Sequence, residues 1–310
     1  MKRILIALLF VCVGACHDLR RADRAPPARA AVAAPAGAEF DNHEQVWQAR
    51  DSGAIVPPHV IVAIEPTQDK EFSLWRVHLD ASAPLDAVWA IRRTEAGGSV
   101  VLTPFRAIVA APAAASAFDA KQWTALDACA LRGTASAAGF RASADLAACT
   151  AIAPGIGAQA ALLPLDVERD GEWLRLRLYA DQARGADARE NARWVRRFAG
   201  WAAINGGGPK AASDSGDWHM NRDVRLGSEG GRTPLVWRDG SASGYSLALE
   251  RLTYRDGNIP VLKLSIVEDA GGRTLAYAWA NPEATRIGIN LGWVQVGLAR
   301  DDVAQPTDKK

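Results

Sequence analysis

The sequence predicts a mainly β fold, arranged as an antiparallel barrel or sandwich. Short runs of strand-forming residues recur at regular spacing, and glycine-containing turns separate many of them. The alternation of strands with long helices that builds a parallel sheet is missing from the sequence. With 49% hydrophobic and 23% charged residues, the composition is that of a folded globular protein.

The predicted strands form an N-terminal and a C-terminal series, and the glycine-rich segment 205–217 marks the boundary between them. Gly97-Gly98 and Asp170-Gly171 are predicted hairpin turns. Residues 301–310 are predicted to be a frayed tail. The first series comprises residues 59–64, 72–79, 88–93, 99–109, 163–169 and 172–179, and the second comprises 234–238, 245–254, 260–268, 274–279 and 286–298.

Few helices are predicted. Asp41 followed by Glu44 resembles a capping box and predicts a short helix over residues 39–51. Residues 190–204 have helical spacing, because their aromatic side chains would share one face of a helix. Residues 118–131 are predicted to be helical or irregular.

The N-terminus has the pattern of a bacterial lipoprotein signal. Lys2 and Arg3 precede an apolar run over residues 4–13, which is too short to span a bilayer and fits a secretory signal. The run ends in Val13-Gly14-Ala15-Cys16, which resembles a lipobox. Residues 1–15 are therefore predicted to be a signal peptide and Cys16 the lipidation site. The alternative is an ordinary signal peptide with an incidental cysteine.

Residues 16–38 are predicted to be the acylated cysteine and an extended Ala/Pro/Arg tether. More than one acyl chain would anchor the protein firmly, since one chain binds a membrane only marginally. His17 follows Cys16, where an aspartate would favour retention in the inner membrane. The sequence therefore predicts an outer-membrane lipoprotein on the periplasmic side, with surface exposure left open.

The charge balance excludes one class of partner. The chain has 36 basic and 35 acidic residues, for a formal net charge of +1. Loss of Lys2 and Arg3 with the signal would leave 34 basic against 35 acidic residues. A chain this close to neutral is not expected to bind nucleic acid.

Two cysteines remain besides Cys16 once the signal is removed. In an exported protein Cys129 and Cys149 are expected to form a disulfide, closing a loop of about 20 residues. A metal site is disfavoured, because no CxxC or HxxxH spacing accompanies these cysteines. The sequence thus predicts one disulfide and no metal.

One segment resembles a known family. The run Glu39-Phe40-Asp41-Asn42-His43-Glu44-Gln45-Val46 is similar to the opening signature of the CpcT/CpeT-type chromophore lyases of phycobiliproteins, with Phe40, Asp41, Asn42, Glu44 and Gln45 as the matching positions. The resemblance covers residues 39–209. Its weaker elements, in order, are Pro57-Pro58-His59, the strands 72–79 and 88–93, Cys129-Ala130-Leu131, Gly139-Phe140, Cys149 and the Trp-rich stretch 194–209.

The resemblance implies a fold and a ligand. The fold would be a calycin-like antiparallel barrel over residues 39–209, related in architecture to lipocalins, with a short N-terminal helix. Residues 218–300 would then be a C-terminal β extension. The implied ligand is a linear tetrapyrrole, which members of the family help attach to a cysteine of a phycobiliprotein.

The sequence also departs from the family. Pro84 is followed by Leu85-Asp86 where the family has a Tyr-Arg pair associated with the pigment, and His43 replaces the signature arginine. Trp75-Arg76-Val77 stands where the family has Glu-Gln-Ala. These differences make an active bilin lyase an alternative hypothesis rather than the first one.

Candidate ligand-binding residues are three tryptophans and one arginine. Trp75, Trp89 and Trp173 could line a cavity inside the barrel for a flat apolar ligand, and Arg76 could pair with a ligand carboxylate. The alternative is that the tryptophans fill the core and that Arg76 is solvated.

No catalytic residue is identified from the sequence itself. His43 beside Glu44 could form an acid/base pair, although a capping or surface role explains both residues equally well. Residues 155–160 and 206–211 match a Gly-x-Gly pattern outside any βαβ unit, and 240–244 has alanine at the position of a nucleophilic serine.

Three hypotheses follow. The first is a lipid-anchored envelope protein whose barrel binds a small hydrophobic or tetrapyrrole-like ligand. The second is an active bilin lyase. The third is a non-catalytic structural or interaction lipoprotein with a filled barrel, in which residues 218–300 bind the partner.

Overall fold

The computed structural model describes residues 37–80, 83–212, 214–254 and 258–302, and all of them belong to one compact unit. The predicted signal peptide, Cys16, the tether up to residue 36 and tail residues 303–310 lie outside the described residues. Gly37 and Ala38 are described, and Ala38 already begins a strand rather than ending the tether.

Eleven strands form the first sheet, and ten of them close into an antiparallel barrel. Each of the ten pairs with its neighbours in chain order, and the last returns to pair with the first. This confirms the prediction of a mainly β, calycin-like barrel. The strands are β1 (Ala38–Asp41), β2 (His59–Pro66), β3 (Phe72–Asp80), β4 (Leu85–Ala96), β5 (Ser99–Ala107), β6 (Trp123–Ala125), β7 (Leu131–Ala135), β8 (Gly139–Ala144), β9 (Pro164–Asp170), β10 (Trp173–Leu178) and β11 (Glu190–Trp194), of which β6 pairs only with β5.

The barrel core follows from the alternation of side chains along each strand. In β10, Leu174, Leu176 and Leu178 are buried, whereas the intervening Trp173, Arg175 and Arg177 are partly exposed. At the β4–β5 hairpin, Gly97 (φ 57°) and Gly98 (φ 79°) supply the two positive φ angles that a tight turn of this kind needs.

Eight further strands make a sandwich of two four-stranded sheets, which we call the C-terminal sandwich. One sheet has the order β13-β12-β19-β18 and the other the order β14-β15-β16-β17, so consecutive strands are neighbours or meet at a corner. Leucine, isoleucine and valine side chains from both sheets form one shared core. The strands are β12 (Arg197–Asn205), β13 (Trp218–Gly227), β14 (Glu229–Val236), β15 (Ala242–Tyr254), β16 (Ile259–Glu268), β17 (Arg273–Ala280), β18 (Arg286–Asn290) and β19 (Val294–Arg300).

Within the described residues, two α-helices accompany the strands, α1 (His43–Ser52) and α2 (Leu146–Ile152). Helix α1 ends at Ser52, and the next residue, Gly53, caps it in a left-handed conformation (φ 66°). Cys149 of α2 is bonded to Cys129, which confirms the predicted disulfide. The shorter 3-10 turns are Ala115–Ala117, Ala120–Gln122, Asp127–Cys129, Ala153–Gly155, Ala158–Leu162, Tyr179–Arg184 and Gly208–Lys210.

The predicted helix over residues 39–51 is wrong in its first part. Residues 38–41 form β1, and the helix begins only at His43, after Asn42. Phe40 is the reason, because its side chain is fully buried in the barrel core and the chain must run as a strand to place it there. Asp41 does not cap the helix with Glu44 as a capping box would; its side chain accepts a hydrogen bond from the His43 amide.

The predicted helix over residues 190–204 is also wrong. This segment is the two strands β11 and β12, and the chain passes from the barrel to the C-terminal sandwich at Val195-Arg196 between them. Phe198 is buried in the sandwich core, whereas Trp201 is 42% exposed, so the two do not share a face. The boundary between the barrel and the sandwich therefore comes before the glycine-rich segment 205–217, which the sequence predicted to be the boundary.

Candidate functional site

The family-like motif lies where β1 turns into α1, and its polar side chains fix that turn. Asn42 is fully buried: its Oδ1 accepts from the Val60 amide at 2.8 Å, and its Nδ2 donates to the Pro58 carbonyl at 2.9 Å and to Glu190 Oε2 at 2.7 Å. Gln45 donates to the Arg189 carbonyl and accepts from the Asn191 amide. These contacts fasten α1 to the barrel, which makes both residues determinants of the fold.

Asp41, the other polar residue at this turn, orients a histidine. Asp41 Oδ1 lies 2.7 Å from His59 Nε2, and Asp80 Oδ2 lies 3.6 Å from His59 Nδ1. The hydrogen bond to Asp41 raises the pKa of His59 above 6.5, although burial opposes it. His59 is therefore held by a carboxylate on each side of its ring.

Glu44, the next motif residue, joins α1 to a buried ion pair between Arg193 and Glu229. Its Oε2 lies 2.7 Å from Arg193 Nη1 on β11, and the same guanidinium contacts Glu229 of β14 through Nε at 3.1 Å and Nη2 at 2.9 Å. Nη2 also donates to the Arg251 carbonyl at 2.7 Å. We call this arrangement the Arg193 bridge; it ties the helix and the barrel to the C-terminal sandwich.

More charged residues extend the Arg193 bridge. Arg251 contacts Glu172 at 3.1 Å and Glu283 at 3.2 Å, and Arg196 contacts the same two carboxylates. Burial disfavours ionisation of Glu172, but Arg251 and then Arg196 outweigh it and lower its pKa. The cluster as a whole holds the four carboxylates Glu44, Glu172, Glu229 and Glu283 and the three guanidiniums Arg193, Arg196 and Arg251.

Glu229 is the most deeply buried carboxylate of this cluster. Its side chain has no exposed surface, and burial raises its pKa to about 7 although Arg193 opposes the shift. The cluster has one more carboxylate than guanidiniums, so one carboxylate lacks a full counter-charge. This agrees with a raised pKa for Glu229, because ionisation costs most for the most buried acid.

Two cavities flank helix α1. The first, which we call the cleft, has a volume of about 450 Å³ and brings together residues from α1, β10, β11 and the end of β15. The second, the histidine cavity, has a volume of about 610 Å³ and includes His43, His59, Arg50 and Arg184. The cleft is lined by Glu44, Gln45, Gln48, Trp173, Arg175, Asn191, Arg193, Thr253 and Asn258.

A row of four aromatic side chains starts between these cavities. Trp47 of α1 contacts Tyr254 of β15 with ring centroids 5.4 Å apart, Tyr254 contacts Trp279 at 5.6 Å, and Trp279 stacks on Tyr277 at 5.2 Å. Tyr277 and Trp279 are 55% and 56% exposed. We call this set the aromatic row.

The predicted ligand-binding residues lie in three different places. Trp75 and Trp89 are buried in the barrel core, and Trp89 Nε1 donates to the Leu162 carbonyl at 3.0 Å. Arg76 points outward, paired with Glu65 and bonded to the Pro112 carbonyl. Trp173 lines the cleft, where the Arg193 guanidinium lies 5.3 Å from its ring.

Sequence reasoning missed Glu229, Arg251 and the exposed pair Tyr277 and Trp279. The acids and arginines of the Arg193 bridge lie far apart in the chain, so no local pattern joins them. A sequence pattern for Tyr277 and Trp279 does exist in Leu275-Ala-Tyr-Ala-Trp-Ala280. There the two aromatic residues alternate with alanines, which places the aromatic rings on one face of the strand and the alanines on the other.

Over the described part of the chain, no group of three or more His, Cys, Asp or Glu side chains is placed to hold a metal ion. Helices long and apolar enough to cross a membrane are likewise not found among residues 37–302 as described. Comparison with known proteins found no matching family model, no matching curated protein and no matching solved structure.

The substitution Glu229→Gln tests the pKa of this carboxyl group. Since the folded-state pKa is raised above 4.5, the folded protein holds the proton more tightly than the unfolded chain, and this stabilisation is lost as the pH rises from 4.5 towards 7. The difference in unfolding free energy between wild type and Glu229→Gln should therefore fall with pH across that window, by at most about 1.4 kcal/mol per pH unit. Urea denaturation at several pH values measures it.

Glu71→Gln is the matched control for this measurement, because it removes an exposed carboxylate from the loop before β3. A wild-type minus Glu229→Gln difference that stays flat, or rises with pH over the same window, would contradict a raised pKa for Glu229.

Proposed function

We propose that this chain is a non-catalytic, lipid-anchored protein of the bacterial envelope that binds its partner on its outer surface rather than inside the barrel. The observation that carries the proposal is the filled interior. Trp75 and Trp89, which could have lined a ligand cavity, pack instead with leucine, valine and phenylalanine side chains in one continuous core. None of the cavities described above is lined by either tryptophan.

The histidines support a non-catalytic role. His59 has a carboxylate near each ring nitrogen, Asp41 at 2.7 Å and Asp80 at 3.6 Å, so both nitrogens already have partners. His43 Nε2 lies 3.2 Å from Glu250, and Gly230 packs so closely on the other side of the ring that a Cβ there would lie 2.4 Å from Nδ1. An acid/base pair of His43 with Glu44 is also unsupported, because Glu44 is paired with Arg193.

Ligand uptake tests where binding takes place. We expect the mature wild-type protein, extracted in detergent, to show no stoichiometric uptake of a linear tetrapyrrole, measured by absorbance and native mass spectrometry. Trp89→Ala should lose about 3–5 kcal/mol of stability and should gain binding of free indole, because the substitution leaves an indole-sized cavity in a closely packed core. Denaturation with and without indole measures this gain.

Trp279→Ala is the matched control, because it removes an exposed tryptophan and leaves no internal cavity. Tight one-to-one binding of the tetrapyrrole by wild type, abolished by substitutions at Trp75 or Trp89, would overturn the proposal. That result would favour the pigment binding that the family resemblance implies, including an active bilin lyase.

The anchor rests on the lipobox-like sequence and is tested separately. Cys16→Ser should move the protein from the membrane pellet to the soluble periplasmic fraction, because it removes the thiol that would carry the lipid. Fractionation followed by immunodetection measures the shift, and Cys12→Ser is the control within the signal. Retention of Cys16→Ser in the membrane would contradict lipidation at this residue.

The tether length agrees with this arrangement. The residues between Cys16 and Gly37, if fully extended, would reach roughly 70 Å. An anchored protein with such a tether could meet partners well away from the lipid surface.

A further inference from the structure

We propose that the cleft and the aromatic row together bind an extended, uncharged glycan chain. This inference rests on the proposed function, since it assigns a partner to the outer surface. It joins two observations that are independent of each other, an exposed pair of stacked aromatic rings and a polar cleft whose charges are already paired.

The two exposed aromatic rings, Tyr277 and Trp279, stack on one another, and we call this pair the platform. Tyr277 and Trp279 alternate along the outer face of β17, and their ring planes are inclined by only 28°. Single exposed apolar residues are ordinary on protein surfaces, but a contiguous exposed apolar patch marks an interaction site. Ile259, also exposed, pairs with Tyr254 across β15 and β16 and enlarges the patch.

The aromatic row and the cleft share two elements, helix α1 and the end of β15. Trp47 and Tyr254 of these elements belong to the aromatic row, and Gln48 and Thr253 of the same elements line the cleft. The cleft lies where α1 and the barrel meet the C-terminal sandwich, so the surface continues an interface within the chain. A ligand long enough to span both would contact aromatic rings at one end and amide and hydroxyl groups at the other.

The charges of the cleft favour an uncharged ligand. Arg175 is paired with Glu168 at 2.6 Å, and Arg193 is paired with Glu44 and Glu229. Beside the platform, Lys263 is paired with Glu250 at 3.4 Å. An anionic ligand would have to break one of these pairs, whereas a neutral ligand that donates and accepts hydrogen bonds leaves them intact.

A sugar chain fits both halves of this surface. A pyranose ring has a face of C–H groups, which packs on an aromatic ring, and a rim of hydroxyl groups, which bond to amides and to paired charges. A purely hydrophobic ligand would leave the side chains of Asn191 and Thr253 desolvated without partners. A nucleic acid would need unpaired cations, which the groups lining the cleft do not provide.

Binding of neutral oligosaccharides tests the proposal. The probes are soluble hexamers of β-1,4-linked glucose, of β-1,4-linked N-acetylglucosamine and of α-1,4-linked glucose, titrated into the Cys16→Ser protein by calorimetry and tryptophan fluorescence. We expect at least one hexamer to bind, and Trp279→Ala and Tyr277→Ala each to weaken that binding by about tenfold, the scale of one stacked ring. Trp173→Ala should weaken it as well, because it removes the aromatic side of the cleft.

Trp201→Ala is the matched control, since Trp201 is also exposed but lies on β12, in the other sheet of the sandwich. It should change the affinity less than twofold. Failure of all three hexamers to bind, or an equal loss in Trp201→Ala, would overturn the glycan proposal, whether or not the barrel interior proves to be filled.

Binding to lipid vesicles distinguishes a glycan-binding surface from a membrane-binding one. If the Cys16→Ser protein binds neutral phosphatidylcholine vesicles, and Trp279→Ala abolishes that binding while no hexamer competes, then the aromatic row is a membrane contact and the proposal is wrong. Uptake of a tetrapyrrole inside the barrel would instead contradict the proposed function, so the two failures give different results.

Discussion

The fold depends on how one buried guanidinium, that of Arg193, is compensated. A charge taken out of water is tolerated only if partners surround it, and Arg193 has Glu44 on the helix, Glu229 on the sandwich and the Arg251 carbonyl within hydrogen-bond distance. Each partner comes from a different element. The Arg193 charge is therefore compensated only when the helix, the barrel and the sandwich are all in place. Arg193 is positioned for this because the chain passes from the barrel to the sandwich just after it, at Val195-Arg196.

The candidate binding surface, formed by the cleft and the aromatic row, lies where helix α1 and the barrel meet the C-terminal sandwich. Helix α1 is held against the barrel by Asn42, Glu44 and Gln45 and against the sandwich by Trp47. That placement opens the cleft on one side of the helix and starts the aromatic row on another. The motif that resembles a pigment-attaching family thus has a structural role, because the hydrogen bonds and ion pairs of its polar side chains hold helix α1 in place.

Much of the barrel could be predicted from local pattern, because its strands bury one face and form tight turns. The Asp170-Gly171 hairpin, the alternation in β10 and the disulfide are examples. The structure of residues 190–204 could not be predicted in this way. This segment is two strands that face two different cores, and its aromatic residues happen to have the spacing of one helical face. Strand β13 was also missed, because an irregularity at Asp223 (φ 58°) breaks its alternation. The pairing of Arg193 with Glu229 depends on tertiary structure, and no sequence pattern revealed it.

The central claim is that the Arg193 bridge makes the barrel and the C-terminal sandwich one cooperative unit. Native-state hydrogen exchange at the amides of Leu174 in the barrel and Leu264 in the sandwich tests it most directly. In wild type, and in the control Arg175→Met, both amides should exchange with the same opening free energy. In Arg193→Met the sandwich should open separately and at lower free energy, because Glu44 and Glu229 are left buried without their partner. Unequal opening free energies already in wild type, or equal ones in Arg193→Met, would contradict the claim.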